Sequence, residues 1–204
     1  MRCNLFTVDI WRFQFPDVRY LDQLRDPALL DTVGLGRLDY ISPNLLTGAR
    51  SWEHLPGNDR LHDREIFWPV RDFIQEKSLE VWRELDYYRD QVPDIYQSWV
   101  TVAGPGAFAL PHVHYNTALT AVVYITAETD QGNIVFENPM DQALGSAPMS
   151  RKTERMRQEI SVKTGDTLIF PGWLRHYTIA NKTDRARVSF IANMNGVANL
   201  ETPP

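Results

Sequence analysis

Five histidines occur in this chain of 204 residues, and two of them stand one residue apart in Leu110-Pro111-His112-Val113-His114-Tyr115-Asn116. Along an extended strand, side chains alternate between faces, so residues i and i+2 point the same way and His112 and His114 can grip one ion. Imidazole is the commonest metal ligand, but two ligands do not make a site, and a surface loop can carry the same pair. A third nitrogen is offered by His176, 64 residues after His112. It follows the turn signal Gly165-Asp166, the β-rich run Thr167 to Phe170 and a second turn signal, Pro171-Gly172, so that it opens a further strand over Tyr177 to Ala180. His54 and His62 have no ligand partner at close spacing and read as surface residues.

The elements that must position these residues are mostly short strands. After Pro93 the pattern runs through Ile95 to Ala103, Leu119 to Thr126, Ile134 to Phe136, Arg157 to Lys163, Thr167 to Phe170, Tyr177 to Ala180 and Ala186 to Met194. Many short strands behind a helical N-terminal portion predict a mainly β protein with N-terminal helices, a double-stranded β-helix of the jelly-roll, cupin-like kind. In such barrels one strand brings the first two ligands and a distant strand the last. No repeat of 20 to 50 residues is visible, which removes solenoids and propellers.

Upstream, Leu5 to Phe15 alternates as a strand at a sheet edge, ended by Pro16-Asp17. Arg19 to Thr32 has helical spacing broken at Pro27. Pro69 to Tyr88 is the best helix, with Val70, Phe73, Ile74, Val81, Trp82 and Leu85 as its apolar stripe and Pro69 in its first turn. Gly34 to Asp63 reads as a long polar loop; with Met140 to Thr153 it is where substrate specificity is expected to lie, Ser42-Pro43-Asn44 and Ser51 to Leu55 lining an entrance. We read residues 1–204 as one domain, with 1–94 as helical and loop support and 95–194 as the jelly-roll core.

Composition narrows the function. With 43% hydrophobic and 23% charged residues the chain is an ordinary globular one, and its net charge of −5 leaves no basic stripe for nucleic acid to grip. The densest basic segment, Arg151-Lys152-Thr153-Glu154-Arg155-Met156-Arg157, is interrupted by a glutamate. The single Cys3 makes no internal disulfide, the first ten residues lack the apolar core of a signal peptide, and no run is long enough to span a membrane. The expectation is a cytoplasmic protein without nucleic-acid or membrane partners.

From about Ile95 onward the chain resembles the Fe(II)- and 2-oxoglutarate-dependent oxygenases, in particular the branch with a His-x-His motif and a following Ser-Gly-Val-Tyr-Tyr-like strand. The resemblance is carried, in order, by His112-Val113-His114, Thr120-Ala121-Val122-Val123-Tyr124, Gly132-Asn133-Ile134-Val135-Phe136-Glu137-Asn138-Pro139, Gly165-Asp166-Thr167-Leu168-Ile169-Phe170-Pro171 with His176, and Arg187-Val188-Ser189 reaching Asn193. It implies a prolyl-hydroxylase-like jelly roll with Fe(II) at its mouth, held by His112 and His176 with His114 near enough to be the third ligand. It also implies 2-oxoglutarate beside the iron. Arg187, eleven residues after His176, matches the superfamily's basic residue for the distal carboxylate, with Ser189 on the same strand face and Tyr124 assisting. A guanidinium suits that task because it presents a planar fork and stays charged when buried. The implied reaction couples oxidative decarboxylation of 2-oxoglutarate by O2 to hydroxylation of a small-molecule or amino-acid-like substrate.

Two departures stand out. The superfamily usually has His-x-Asp, giving a 2-His-1-carboxylate triad, whereas His114 occupies the carboxylate's place; this leaves a three-histidine site or two histidines and water. Glu137, the nearest carboxylate, lies on a different expected strand and is expected to face solvent. Thr120-Ala121 stands where Ser-Gly is usual, which trims the pocket. Two rivals follow: a cupin-like three-histidine dioxygenase without 2-oxoglutarate, favoured by His114 and disfavoured by Arg187, and a non-catalytic jelly roll that binds a sugar or a protein.

Overall fold

The computed structural model describes residues 7–33, 49–50, 58–140 and 156–198. Cys3, the Ser42-Pro43-Asn44 segment, the Ser51 to Leu55 segment with His54, and nearly all of the Met140 to Thr153 loop lie outside the described residues.

Strand β1 (Trp11–Gln14) is followed by helices α1 (Val18–Leu24) and α2 (Pro27–Thr32), a two-residue strand β2 (Ala49–Arg50) and helix α3 (Trp68–Glu84). Strands β3 (Gln91–Ala103), β4 (Leu119–Thr126), β5 (Ile134–Glu137), β6 (Arg157–Ile160), β7 (Asp166–Pro171), β8 (His176–Thr178) and β9 (Arg187–Ala198) complete the order. They form a six-stranded sheet, β1-β7-β4-β9-β3-β2, and a three-stranded one, β6-β5-β8, with antiparallel pairing throughout. This is the jelly-roll architecture behind N-terminal helices that the short-strand pattern predicts.

The large sheet is covered on both faces, which is why every residue of β4 and β7 is buried rather than every second one. Ala121, Val123 and Ile125 of β4 and Val188, Phe190 and Ala192 of β9 pack outward against Leu21, Leu24, Phe67, Val70, Ile74 and Val81. Val122, Tyr124, Leu168, Phe170 and Ile191 point the other way, toward Ile134 and Phe136 of the small sheet. Each fully buried Leu, Ile, Val or Phe contributes about 1.5–3 kcal/mol, so the outward core holds the helices to the sheet and the inward one closes the barrel.

Local signals explain the helix ends. Asp17 and Asp26 cap α1 and α2 through side-chain oxygens that accept from Tyr20 N at 3.1 Å and Ala28 N at 2.8 Å, and Pro27 opens α2. Three sequence expectations need correction. Among the described residues, the segment Gly34 to Asp63 is not structureless, because Ala49–Arg50 pairs with Thr101 and Val102, and Leu61–Asp63 forms a 3-10 turn. β3 starts before Pro93 and β9 runs past Met194, with Pro93 opposite Gly196. Proline is tolerated there because, among the described residues, β2 reaches β3 only at Thr101 and Val102 and no strand pairs with that side of β3 at Pro93. The edge strand expected over Leu5 to Phe15 is confined, among the described residues, to Trp11–Gln14.

Candidate metal centre

The His-x-His segment is not part of a regular strand. His112 instead makes an isolated antiparallel bridge with His176, and His114 N donates to Gly172 O at 2.8 Å. Residues opposed in an antiparallel bridge project to the same side, so the alternation argument reaches the right outcome through a different support. Gly172 also lets Thr117 pass close by, since a Cβ there would stand 2.5 Å from Thr117 O.

The ligand nitrogens of His112, His114 and His176 lie within 4.8 Å of one another. His114 and His176 are buried and His112 is partly so. His112 Nδ1 donates to Leu110 O at 2.7 Å and His176 Nδ1 to Leu174 O at 2.8 Å. A carbonyl oxygen only accepts, so each neutral ring is held in the tautomer whose Nε2 carries the lone pair. His114 Nδ1 pairs with Asn193 Oδ1 at 2.6 Å, an oxygen that also accepts from Thr120 Oγ1 at 3.1 Å. Such outer partners orient metal-binding imidazoles and raise their basicity. Trp99 stacks on His114 with ring centroids 5.8 Å apart, and Phe170 meets His176 edge-on at 4.8 Å. Burial, followed by the neighbouring His112, pushes the His176 pKa down to about 3, so the ring stays neutral and able to ligate at physiological pH.

The three rings line a cavity of about 450 Å³ whose far end holds Arg187, Ser189, Tyr124 and Thr178. Arg187 is 5% exposed. Its Nη1 donates to Gln131 O at 3.1 Å and to Gly132 O, and its Nη2 to Thr178 Oγ1 at 3.2 Å. No carboxylate among the described residues pairs with it. Desolvation pulls its pKa below the ordinary value, opposed by Tyr124, whose own hydroxyl is pushed up to about 12 by burial. Gly132, at φ +92°, makes the Arg187 contact possible: a Cβ there would stand 2.2 Å from Ile179 O and 2.8 Å from Arg187 Nη1.

Every residue expected at the site thus faces one cavity: His112, His114 and His176 at the centre, and Arg187, Ser189 and Tyr124 around its end. Glu137 does not join them. Its side chain is only 15% exposed, contrary to the solvent-facing expectation, because Arg175 Nε holds it at 2.8 Å with Arg157 nearby at 3.8 Å. His62 is also not a surface residue: it is 5% exposed, with Nδ1 2.7 Å from Ser98 Oγ, because its 3-10 turn packs on β3. Sequence reasoning missed Thr178 and the pair Asn193 and Gln97 as working parts of the site, and gave Thr120 only as trimming the pocket. Strand parity reaches two of them, since Thr178 is two residues beyond His176 and Asn193 shares a face with Arg187 and Ser189; the sheet register, which sets Gln97 opposite Asn193, comes only from the structure.

The three converging imidazoles at the mouth of this jelly roll could hold one metal ion, with a buried arginine deeper in the same cavity. Residues 97–193 match the family model described as "Putative 2OG-Fe(II) oxygenase". No curated protein sequence matches the chain significantly. Among solved structures, the fold is similar to that of the non-heme alpha-ketoglutarate-dependent carbocyclase SnoK from nogalamycin biosynthesis, at 14% identity and TM-score 0.61, over 94% of this chain and 82% of that one. It is also similar to a Pseudomonas putida prolyl-4-hydroxylase, at 14% identity and TM-score 0.59, over 93% of both chains. HygX from Streptomyces hygroscopicus, with nickel and 2-oxoglutarate bound, is similar at 13% identity and TM-score 0.58, over 93% of this chain and 83% of that one. Among the described residues no helix is long and apolar enough to cross a membrane.

Proposed function

We propose that the protein couples oxidative decarboxylation of 2-oxoglutarate to hydroxylation of a small-molecule substrate, as one oxygenase domain spanning residues 1–204. His112, His114 and His176 are the Fe(II) ligands in this reading, and Arg187, Ser189 and Tyr124 hold the distal carboxylate of 2-oxoglutarate. The observation that carries it is Arg187, a nine-tenths buried guanidinium bonded only to neutral oxygens among the described residues. A cation so placed costs several kcal/mol unless an anion joins it, and a dicarboxylate reaching from the imidazoles to Arg187 supplies one. The donor set fits as well, since neutral imidazoles with fixed tautomers suit a first-row divalent metal. The same Arg187 weighs against the three-histidine dioxygenase without 2-oxoglutarate, which has no use for a buried cation here.

Fe(II) with 2-oxoglutarate bound supplies the net reaction in which 2-oxoglutarate, O2 and R–H become succinate, CO2 and R–OH. The chain's own residues hold and orient. Carbonyls of Leu110 and Leu174 and the Asn193 amide fix the three rings. Phe170, Phe136 and Trp99 keep water from their backs. Arg187 sets the depth to which the cosubstrate enters. Tyr124, protonated across the physiological range, donates its hydroxyl hydrogen rather than repelling a carboxylate. The testing experiment is anaerobic loading with Fe(II) and 2-oxoglutarate followed by oxygen. The expected result is a visible metal-to-ligand absorption on loading and slow succinate release; neither signal at millimolar 2-oxoglutarate rejects the reading.

A further inference from the structure

Arg187 and Asn193 lie on the same face of β9, six residues and so about 20 Å of strand apart. The proposed cosubstrate occupies the Arg187 end; the wall beyond His114, where Asn193, Gln97, Tyr96, Trp99 and Tyr115 line the same cavity, is left for substrate. Among the described lining residues, Arg187 is the only Lys, Arg, Asp or Glu. Among the described residues, that wall therefore offers rings and the two amides of Asn193 and Gln97, and no charge.

The orientation of that amide follows from the histidine cluster. For His114 to turn the lone pair of Nε2 inward, its Nδ1–H must donate, and Asn193 Oδ1 accepts it at 2.6 Å. Thr120 Oγ1 donates to the same oxygen at 3.1 Å, which fixes Asn193 with Nδ2 on the opposite side. Asn193 Nδ2 then donates to Gln97 Oε1 at 3.2 Å. Gln97, which lines the cavity, is thereby left with its Nε2–H2 to offer, and among the described residues no acceptor takes it. The polarity demanded at His114 is relayed through two amides and arrives at the substrate wall as a hydrogen-bond donor. A bulge in β3 between Ile95 and Gln97 frees Tyr96 from the alternation and lets it line the mouth, with its hydroxyl taken by Thr117 Oγ1 at 2.6 Å. Tyr115, 83% exposed, stands at the same rim.

We infer that the wall beyond His114 is an uncharged subsite, with Gln97 Nε2 as its donor, for a neutral, ring-bearing substrate that presents a carbonyl or ether oxygen to that nitrogen. This rests on the reading of the histidines and Arg187 given above. It narrows the substrate class and removes free amino acids, whose ammonium group finds no anion on the described wall. Buried amides enforce such a choice, because a ligand without an acceptor leaves the donor unpaired.

The test uses 15N-labelled protein saturated with Zn(II) and 2-oxoglutarate, titrated with three planar probes of one shape: acetophenone, α-methylstyrene and benzamidinium. Acetophenone should bind saturably and move the side-chain amide resonances of Gln97. It should bind about fivefold to tenfold more tightly than α-methylstyrene, which replaces the acceptor oxygen by CH2, and more tightly again than the cation. Gln97→Ala, with cooperative melting as the check on folding, should make acetophenone and α-methylstyrene equal; if it does not fold, the wild-type comparison decides. Equal or reversed preference in the wild type, or no saturable shift from acetophenone up to its solubility limit, overturns the subsite. The separate titration of Zn(II)-loaded protein with 2-oxoglutarate reports on the underlying reading: if 2-oxoglutarate itself fails to bind, that reading fails, and the subsite with it.

Discussion

His112 and His176 are tied backbone to backbone: His112 N donates to His176 O at 2.9 Å, and His176 N returns the bond to His112 O at 3.0 Å. The bridge is isolated, so the irregular segment carrying His112 and His114 is registered on β8 rather than on a strand of its own. Because His176 belongs to the small sheet and Asn193, the partner of His114, to the large one, the three imidazoles converge only where the two sheets meet.

Removing the most buried of the three, His176, should therefore be the most damaging change to metal binding. His176→Ala is expected to abolish stoichiometric Fe(II) or Co(II) binding, measured by equilibrium dialysis with metal analysis. His114→Ala should weaken binding without abolishing it, and should alter the Co(II) absorption spectrum. Metal content unchanged by His176→Ala would place the site elsewhere; a Co(II) spectrum unchanged by His114→Ala would leave two histidines and water as ligands.

Arg187 tests the cosubstrate. Taking away one partner of a buried charge pair costs on the order of 3 to 5 kcal/mol, because the other is left uncompensated. Arg187→Ala should therefore weaken 2-oxoglutarate binding by at least about a hundredfold. Metal affinity should stay close to that of the wild type. Arg187→Lys should fall between the two, keeping the charge and losing the fork. Calorimetric titration of metal-loaded protein reads all three.

Gly132 offers a test that leaves every polar group in place. A methyl group there meets both Ile179 O and Arg187 Nη1, and the backbone sits at φ +92°, where alanine is strained. Gly132→Ala should displace the guanidinium, weakening 2-oxoglutarate more than it weakens metal, and should lower stability by about 1–3 kcal/mol. Equal losses in the two affinities would point to general unfolding instead.

Strand positions, the two helices broken at Pro27 and the histidine and arginine positions were legible because they depend on local periodicity and on residue type. His62 was not, since its burial depends on a turn docking on β3 and on Ser98, 36 residues away. Glu137 was misread for the same reason: its cations come from β6 and from the turn before β8. The Asn193 and Gln97 relay could have been found, because parity along β9 puts Asn193 on the face of Arg187, but the pairing of Gln97 with Asn193 needs the register across strands that are 96 residues apart. Long-range register is what a single sequence does not display.

The buried imidazole also sets a pH dependence. His176 has a folded pKa of about 3 against an ordinary 6.5, with desolvation as the main cause and His112 adding to it. Between those values the unfolded chain takes up a proton that the folded chain refuses, so the metal-free protein must lose stability as pH falls below about 6.5, by up to about 1.4 kcal/mol per pH unit for this group. His62, pulled down by burial, adds in the same direction. Carboxylates paired in the fold, such as Asp63, act only at lower pH, so a decline between pH 7.5 and 5.5 belongs to histidine. Urea unfolding of metal-free protein at those two values should show the midpoint falling with acid, and His176→Leu should flatten the slope whatever it does to absolute stability. Bound metal, which needs the same neutral rings, should steepen it. A midpoint that does not move between the two pH values would mean that His176 keeps its ordinary basicity in the fold, and that the ring is far better solvated than its burial against Phe170 and Phe136 requires.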